Sequence, residues 1–225
     1  DSTASMITLR DNTTTRMTTV IYGQSGIGKV LAEYNSFDVS GYNGPGAAIQ
    51  PNGVTAGTVE NLTFRGNTWG GIVNSNYRFL GVQPIVPVAG VTWTFADRWD
   101  FSDSLESTAV VFIDMDDTET NGGEFTLDLT DAVIITNSTA TTVRYGSGIG
   151  AYTNDQLPRA KTLTDDTFQK LRLVAHRSYI QNTGTGINSA VLAVRIGVIS
   201  TDIQDATILA LSSPGHAISI QANDA

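Results

Sequence analysis

The stretch around Gly23, "YGQSGIGKV", is the first part of the chain whose residue types and spacing suggest a chemistry. Gly23, Gly28 and Lys29 match most of the pattern G-x-x-x-x-G-K-[ST], in which backbone amides and a lysine hold the phosphates of a nucleotide. The last position is Val30, which has no hydroxyl for Mg²⁺, and β-type sequence follows where the motif needs a helix. We therefore interpret this stretch as a glycine-rich hairpin turn after a strand.

A group of carboxylates follows the apolar stretch "AVVFI" at 109–113. Asp114, Asp116 and Glu119 are hard oxygen ligands of the kind that Ca²⁺ prefers, placed in a loop between two strands. The group differs from an EF-hand loop, because Glu119 stands where that motif needs glycine. The alternative is a solvated acidic turn. The sequence thus indicates a possible Ca²⁺ site and no other cofactor.

The three tryptophans are candidates for a sugar-binding surface, because flat aromatic rings stack on sugar rings. Trp93 lies on the apolar face of the alternating stretch "VTWTF", which favours a place in the core. Trp99 stands between the charged residues Arg98 and Asp100. We therefore predict that Trp99 is exposed and is the glycan-binding residue.

Residues for nucleophilic catalysis are scarce. His176 and His216 are the only histidines, and cysteine is absent, so disulfides, thiol nucleophiles and thiolate metal sites are excluded. A pair of carboxylates for glycoside hydrolysis remains an alternative, because the geometry of such a pair depends on the tertiary structure and not on sequence spacing. We identify no catalytic residue from the sequence.

The elements that must position these residues are strands. "VTWTF" and "EFTLDL" alternate apolar with polar residues, as do the stretches around Leu62 and Phe64 and at 132–136, 141–145 and 216–221. Turn clusters rich in Asn and Gly separate them. We predict an all-β fold, an antiparallel β-sandwich resembling a jelly roll, with at most one short helix at 202–213. Residues 58–81 have the Asn and Gly pattern of a β-helix coil, but no fixed-period repeat supports a solenoid.

The region 168–199 contains the clearest core pattern. It reads as a long antiparallel hairpin around the glycine-rich segment 182–188, with a continuous apolar face on its second strand. That face consists of Ala190, Leu192, Val194, Ile196 and Val198.

The N-terminal segment is polar and rich in threonine. We predict an extended arm over residues 1–20 that docks on a neighbouring subunit, and a single sandwich domain over residues 21–225. The alternative is that residues 5–10 pair within their own domain. Asp1 is compatible with a chain from which a targeting peptide has been removed.

The charge of the chain limits its partners. With 13 Lys+Arg against 22 Asp+Glu, the net charge is −9, which disfavours nucleic acid, and no apolar run is long enough for membrane insertion. An all-β chain rich in Thr, Asn and Gly, without cysteine, poor in lysine, with a polar N-terminal arm and no catalytic signature, favours a non-enzymatic structural protein of a virion, such as a phage capsid-decoration, fibre or attachment subunit. We expect it to self-associate through sheet edges and the arm, or to join other structural subunits.

Two other classes of function remain. One is a secreted protein, either a carbohydrate-binding module that recognises a cell-surface glycan or a filament subunit joined by strand addition. The other, less favoured, is a polysaccharide hydrolase or lyase. We therefore expect the chain to be located in a virion or outside the cell.

Overall fold

The alternating apolar residues form strands throughout the part of the chain that the structure describes. In this computed structural model the described residues are 6–17, 19–23, 26–40, 46–51, 57–71, 77–80, 85–87, 89–103, 111–115, 124–137, 149–153, 170–182, 190–195, 197–210 and 216–220. Within these ranges there is no helix, so none that could cross a membrane.

The strands are short and are numbered in chain order. The first eleven are β1 Ile7–Arg10, β2 Thr13–Thr14, β3 Ile21–Gly23, β4 Gly26–Ile27, β5 Val30–Glu33, β6 Ser36–Asp38, β7 Gly46–Pro51, β8 Gly57–Val59, β9 Leu62–Gly70, β10 Tyr77–Leu80 and β11 Ile85–Pro87. The others are β12 Thr92–Phe101, β13 Val111–Met115, β14 Glu124–Asp128, β15 Val133–Thr136, β16 Ile149–Thr153, β17 Lys170–His176, β18 Tyr179–Asn182, β19 Ala190–Arg195, β20 Gly197–Gln204, β21 Thr207–Ala210 and β22 His216–Ile220.

The largest sheet joins twelve strands, and its main path follows chain order through β1, β5, β9, β12, β14, β17 and β20. All pairings along this path are parallel. A second path in the same sheet runs through β2, β6, the last part of β9, the last part of β12, β15, β18 and β21, again with parallel pairing. We call these paths the first half and the second half of the large sheet.

Two further sheets repeat the same order. One consists of β3, β7, β10, β13, β16, β19 and β22, and the other of β4, β8 and β11, with parallel neighbours in both. Each turn of the chain therefore adds a strand to the sheet edge left by the previous turn. This arrangement is a parallel β-helix, a solenoid in which each coil contacts its neighbours.

The prediction of an antiparallel sandwich resembling a jelly roll is wrong. The described strands pair in parallel with the equivalent strand of the next coil. Alternation of apolar and polar residues indicates that one face of a strand is buried. This alternation is the same whether the neighbouring strand is parallel or antiparallel, so it does not predict the direction of pairing. The equivalent residues Ile7, Val30, Leu62, Trp93 and Leu127 also follow at unequal intervals, which conceals the repeat.

The predicted hairpin at 168–199 is also absent. β17 pairs in parallel with β20, whereas β19 lies in another sheet between β16 and β22. The predicted helix at 202–213 is wrong as well, because its described residues continue β20 and form β21. Ile208 packs against the core, as a strand residue of the last coil does.

The strands around Gly23 and Lys29 belong to different sheets. β3, β4 and β5 follow one another in three different sheets, and β5 begins at Val30, directly after Lys29. The helix that a nucleotide-binding loop needs at this point is replaced by a strand. The predicted hairpin is wrong, because β3, β4 and β5 pair with strands of other coils and not with one another.

The first described residues belong to the β-helix. β1 pairs with β5 and β2 pairs with β6 of the same chain, which is the alternative to an arm docked on a neighbour. Residues 1–5 lie outside the described residues.

The interior confirms the predicted core of the alternating strands. Trp93, Phe95, Phe125 and Leu127 are buried, as are Leu62, Phe64 and Leu129. Aromatic rings of neighbouring coils contact each other, with centroids 4.9 Å apart for Trp93 and Phe125 and 5.8 Å apart for Phe64 and Phe95. Such contacts add to the burial of large aromatic surfaces and hold successive coils together.

Candidate functional site

A corner joins the two halves of the large sheet. In six coils one residue at this corner, where the chain passes from the first half to the second half, has a positive φ. Asp and Gly, which adopt this conformation most readily, occupy four of the six positions. The six residues are Asp11, Tyr34, Gly66, Asp131, Arg177 and Asp205.

A ladder of side-chain amides follows the first three of these residues. Nδ2 of Asn12 donates to Oδ1 of Asn35 at 2.9 Å, and Nδ2 of Asn35 donates to Oδ1 of Asn67 at 2.8 Å. Nδ2 of Asn67 in turn donates to the carboxylate of Asp97 at 2.9 Å. The backbone N–H groups of the three asparagines donate to the same oxygens of the next coil. We call these four residues the asparagine ladder.

Asp97 ends the ladder and sets its direction. The oxygens of Asp97 accept from Nδ2 of Asn67, which leaves Oδ1 of Asn67 to accept from Asn35, and each earlier amide takes the same orientation. The indole N–H of Trp69 donates to Oδ2 of Asp97 at 2.8 Å. Burial raises the pKa of Asp97 to about 7, although the hydrogen bonds from Trp69 and Asn67 oppose this shift.

An open groove of about 480 Å³ lies on the outer face of the second half of the large sheet. It crosses β6 and the last parts of β9 and β12, which are neighbouring strands. Phe37 and Trp69 lie between these outward residues on β6 and β9, and their buried rings face the core with centroids 4.2 Å apart. Its polar lining consists of Ser36, Asp38, Ser40, Thr68, Arg98 and Asp100.

Two carboxylates flank the groove in one row across the strands. The register places Asp38, Gly70 and Asp100 side by side, so the two aspartates stand on alternate strands with glycine between them. Strands lie about 4.8 Å apart, which separates the two aspartate backbones by about 10 Å. Because glycine has no side chain, the space between the carboxylates is open.

A short turn after each strand holds the carboxylate. Oδ1 of Asp38 accepts the backbone N–H of Ser40 at 2.8 Å, and Oδ1 of Asp100 accepts the hydroxyl of Ser102 at 2.8 Å. Arg98 adds an ion pair to Oδ2 of Asp100 at 2.7 Å. These contacts restrict the side-chain rotamers, so both carboxylates keep a defined position at the groove.

Both carboxylates are acids of lowered pKa. The pKa of Asp38 falls because the side chain and backbone of Ser40 donate to it, which outweighs partial burial. For Asp100 burial is the largest single effect and raises the pKa, but the hydrogen bonds from Ser102 and Arg98 together outweigh it, and the pKa is lowered. Both groups are therefore ionised at neutral pH.

Trp99, the predicted glycan-binding residue, is fully buried. The prediction that it is exposed is wrong, because Arg98 and Asp100 point outward on either side of it while Trp99 itself faces the core. A buried ring has no face available to a sugar.

The predicted Ca²⁺ site falls almost wholly outside the described residues. Asp114 lies in β13, opposite Tyr152 of β16, whereas Asp116 and Glu119 are beyond the described ranges. The described residues contain no group of three or more His, Cys, Asp or Glu side chains placed to hold a metal ion. The Ca²⁺ site stays a prediction.

The groove residues were not predicted from the sequence, although a signal for them exists. The stretches "NSFD", "NTWG" and "DRWD" each combine an Asn or Asp of the ladder, an outward residue, a buried aromatic residue and a residue of the groove row. They begin at Asn35, Asn67 and Asp97. Aligning these three stretches would have placed Asp38, Gly70 and Asp100 in one row.

Comparison with family models, with curated proteins and with solved structures shows no match to this chain.

Proposed function

We propose that this protein is a non-enzymatic attachment or structural subunit that binds a hydroxyl-rich ligand, a glycan, in the groove of its β-helix. The observation that supports this most directly is the row formed by Asp38, Gly70 and Asp100. It presents two ionised, positioned carboxylates on either side of an open space.

The groups around this space suit sugar hydroxyls. A carboxylate offers about four lone-pair sites, of which the turn contacts occupy only part, and it accepts stronger hydrogen bonds than a neutral oxygen does. Arg98 is 51% exposed and supplies donors, and the hydroxyls of Ser36 and Thr68 both donate and accept. A polyol needs this mixture of acceptors and donors.

The same carboxylates argue against cleavage of the glycan. Glycoside hydrolysis requires a carboxylic acid that stays protonated near neutral pH. Asp38 and Asp100 have lowered pKa values, so neither is that acid. Asp97 has a raised pKa, but its carboxyl group is buried and bonded to Asn67 and Trp69. This distribution supports binding without hydrolysis.

The proposal includes self-association, on a virion or in an extracellular layer. Among the described strands, β1 and β2 at one end and β20 and β21 at the other each have a hydrogen-bonded neighbour on one side only. Met6 and Ile7 at the first end are 58% and 37% exposed. Open edges and apolar side chains at the ends of a solenoid favour contact with another subunit.

The glycan proposal is tested on an array of neutral, amino-bearing and acidic oligosaccharides of two to six sugar units, followed by calorimetry on those that bind. We expect Asp38→Asn and Asp100→Asn each to weaken binding by about tenfold or more, because a charge-assisted acceptor is lost. An asparagine keeps the oxygen that accepts the turn N–H, so the fold is retained.

Asp128→Asn is the matched control. Asp128 accepts the backbone N–H of Thr130 at 3.0 Å in a similar turn, but it lies on the first half of the large sheet, outside the groove. Binding by this variant should equal that of the wild type. An array without any bound oligosaccharide, or groove variants that bind as the wild type does, would contradict the proposal.

Self-association is tested separately by light scattering after size exclusion. A discrete oligomer or a filament supports it, and a monomer of 23.9 kDa at every concentration contradicts it.

A further inference from the structure

The outer face of the second half of the large sheet continues beyond the groove. One row across the strands contains Ser36, Thr68, Arg98, Val133, Tyr179 and Thr207. The neighbouring row contains Asp38, Gly70, Asp100, Ile135, Gln181 and Leu209. Both rows run along the axis of the β-helix, perpendicular to the strands.

The character of this face changes along the axis. The three coils at the groove present charged and hydroxyl groups, whereas the next coils present Val133, Ile135 and the ring of Tyr179, all partly exposed. The hydroxyl of Tyr179 donates to Oε1 of Gln181, which restricts the position of the ring. A polar groove therefore continues into an aromatic and aliphatic surface.

We propose that the glycan lies along the axis of the β-helix, with about one sugar unit on each coil, and that Tyr179 stacks against a sugar ring at the far end of the site. This inference rests on the proposed glycan-binding function. It adds the direction of the ligand, its minimum length and the residue that selects longer chains.

The geometry of the two rows supports this direction. A ligand that lies along one strand, such as β6, contacts only two outward side chains, Ser36 and Asp38. A ligand that lies across the strands contacts two outward positions on every coil, one from each row. The strand spacing of about 4.8 Å is close to the length of one sugar unit in an extended chain. From β6 to β18 the site extends over about 19 Å.

A sugar ring suits both ends of this surface. Its hydroxyl groups bind the carboxylates of Asp38 and Asp100, and its C–H face packs on the ring of Tyr179. The charges at the groove, two aspartates and Arg98, leave one negative charge in excess, and the chain as a whole has a net charge of −9. The ligand class is therefore a neutral or amino-bearing glycan, and sulfated or uronic-acid chains are repelled.

The experiment measures affinity against chain length on the oligosaccharides of two to six units that the array contains. We expect the affinity of the wild type to rise with chain length up to about five sugar units and then to level off. The reason is that the site spans five neighbouring strands, from β6 with Asp38 to β18 with Tyr179. Tyr179→Ala should weaken the five-unit chain by about tenfold and leave the two-unit chain unchanged. An acidic chain of equal length should bind at least tenfold more weakly than a neutral one.

Two further variants separate stacking from other effects. Tyr179→Phe keeps the ring and should bind the five-unit chain within about twofold of the wild type. Tyr34→Ala removes a tyrosine that is 63% exposed at the corner, outside both rows, and should leave the length dependence unchanged.

The outcomes distinguish this inference from the proposal on which it rests. If affinity levels off at two units, or if Tyr179→Ala weakens all lengths equally, the axial placement is overturned even when Asp38→Asn and Asp100→Asn still abolish binding. If no oligosaccharide binds, the proposed function fails and this inference fails with it.

Discussion

Trp69 donates its indole N–H to Asp97 at 2.8 Å, and this hydrogen bond joins β9, a strand that lines the groove, to the end of the asparagine ladder. Trp69 is buried and contacts Phe37 of the preceding coil, while Asp97 also accepts from the side chain and backbone of Asn67. The interior network thus holds the coils whose outer residues line the groove. We therefore expect changes in the ladder to alter the stability of the site.

The first prediction concerns the pH dependence of stability. Because burial raises the pKa of Asp97 from 3.8 to about 7, the folded state binds a proton between these two pH values that the unfolded state does not bind. Its contribution is fully present below pH 3.8 and is lost as the pH rises through 7. Across that window we expect a loss of up to about 4 kcal/mol, of which about 2–3 kcal/mol falls between pH 5 and 8, the range in which urea unfolding is measured.

Asp97→Asn should flatten this profile. Asp38 and Asp100 do not obscure it, because acids of lowered pKa affect stability only near and below their unfolded pKa. The pKa of Asp97 can also be measured directly by carboxyl NMR in the wild type, which avoids any loss of folding in the variant. A value below 5 would refute the prediction.

The second prediction concerns the ladder itself. Asn67→Ala removes the acceptor of the Asn35 N–H, the donor to the backbone oxygen of Ala32 and a donor to Asp97, all of them buried. Unsatisfied buried groups are costly, so we expect a loss of about 2–4 kcal/mol in the free energy of unfolding. The neighbouring exposed residue provides the control, because Thr68→Ala should cost less than about 0.5 kcal/mol. Equal losses for the two variants would show that the ladder has no special role.

The third prediction uses two consecutive glycines at the groove. At Gly70 an added Cβ would lie 3.6 Å from the backbone oxygen of Asp100, an ordinary contact. At Gly71 φ is +119°, and a Cβ would lie 2.7 Å from Oδ1 of Asp38 and from the backbone N of Ser40. Gly70→Ala should therefore change stability by less than about 0.5 kcal/mol, whereas Gly71→Ala should cost about 1–3 kcal/mol.

The same pair tests the proposed site. The methyl group of Gly70→Ala enters the space between the two carboxylates, so glycan affinity should fall by about tenfold while the melting temperature is kept. Calorimetry of binding and thermal unfolding are measured on the same sample. Unchanged affinity would place the ligand elsewhere.

The fourth prediction concerns Trp99. Because this side chain is fully buried, Trp99→Ala should cost about 3–5 kcal/mol through lost burial and a cavity, or prevent folding. Tyr34→Ala, which removes an aromatic ring from the surface, should cost less than about 1 kcal/mol. A Trp99→Ala variant of wild-type stability would contradict the assignment of Trp99 to the core.

Much of the local structure could be predicted from the sequence. The strands around Trp93, Phe125 and Leu62 and their buried faces follow from alternation, because a strand with one buried face has a period of two. The sequence also indicated that the stretch at Gly23 is not a nucleotide-binding loop, because Val30 lacks a hydroxyl. In the structure Val30 begins a strand. The asparagine and glycine pattern of residues 58–81 was a signal of the β-helix to which its described strands β8, β9 and β10 belong, but without a fixed-period repeat it did not lead to the prediction of a solenoid.

The direction of strand pairing could not be predicted in this way. Successive coils differ in length, so equivalent residues such as Val30, Leu62 and Trp93 are unevenly spaced, and a strand has the same alternation beside a parallel or an antiparallel neighbour. The helix predicted at 202–213 is a separate error. There β20 ends and β21 begins on either side of Asp205, a residue of positive φ.

The sequence by itself determined where the strands lie, which side chains are buried on them and which chemistries lack residues, because these depend on neighbours within a few positions. The tertiary structure alone decided that Asp38, Gly70 and Asp100 form one row. The physical reason is that a β-helix brings residues together across strands, from coils separated by about thirty positions, and the hydrogen bonds and side-chain packing between those coils set the register.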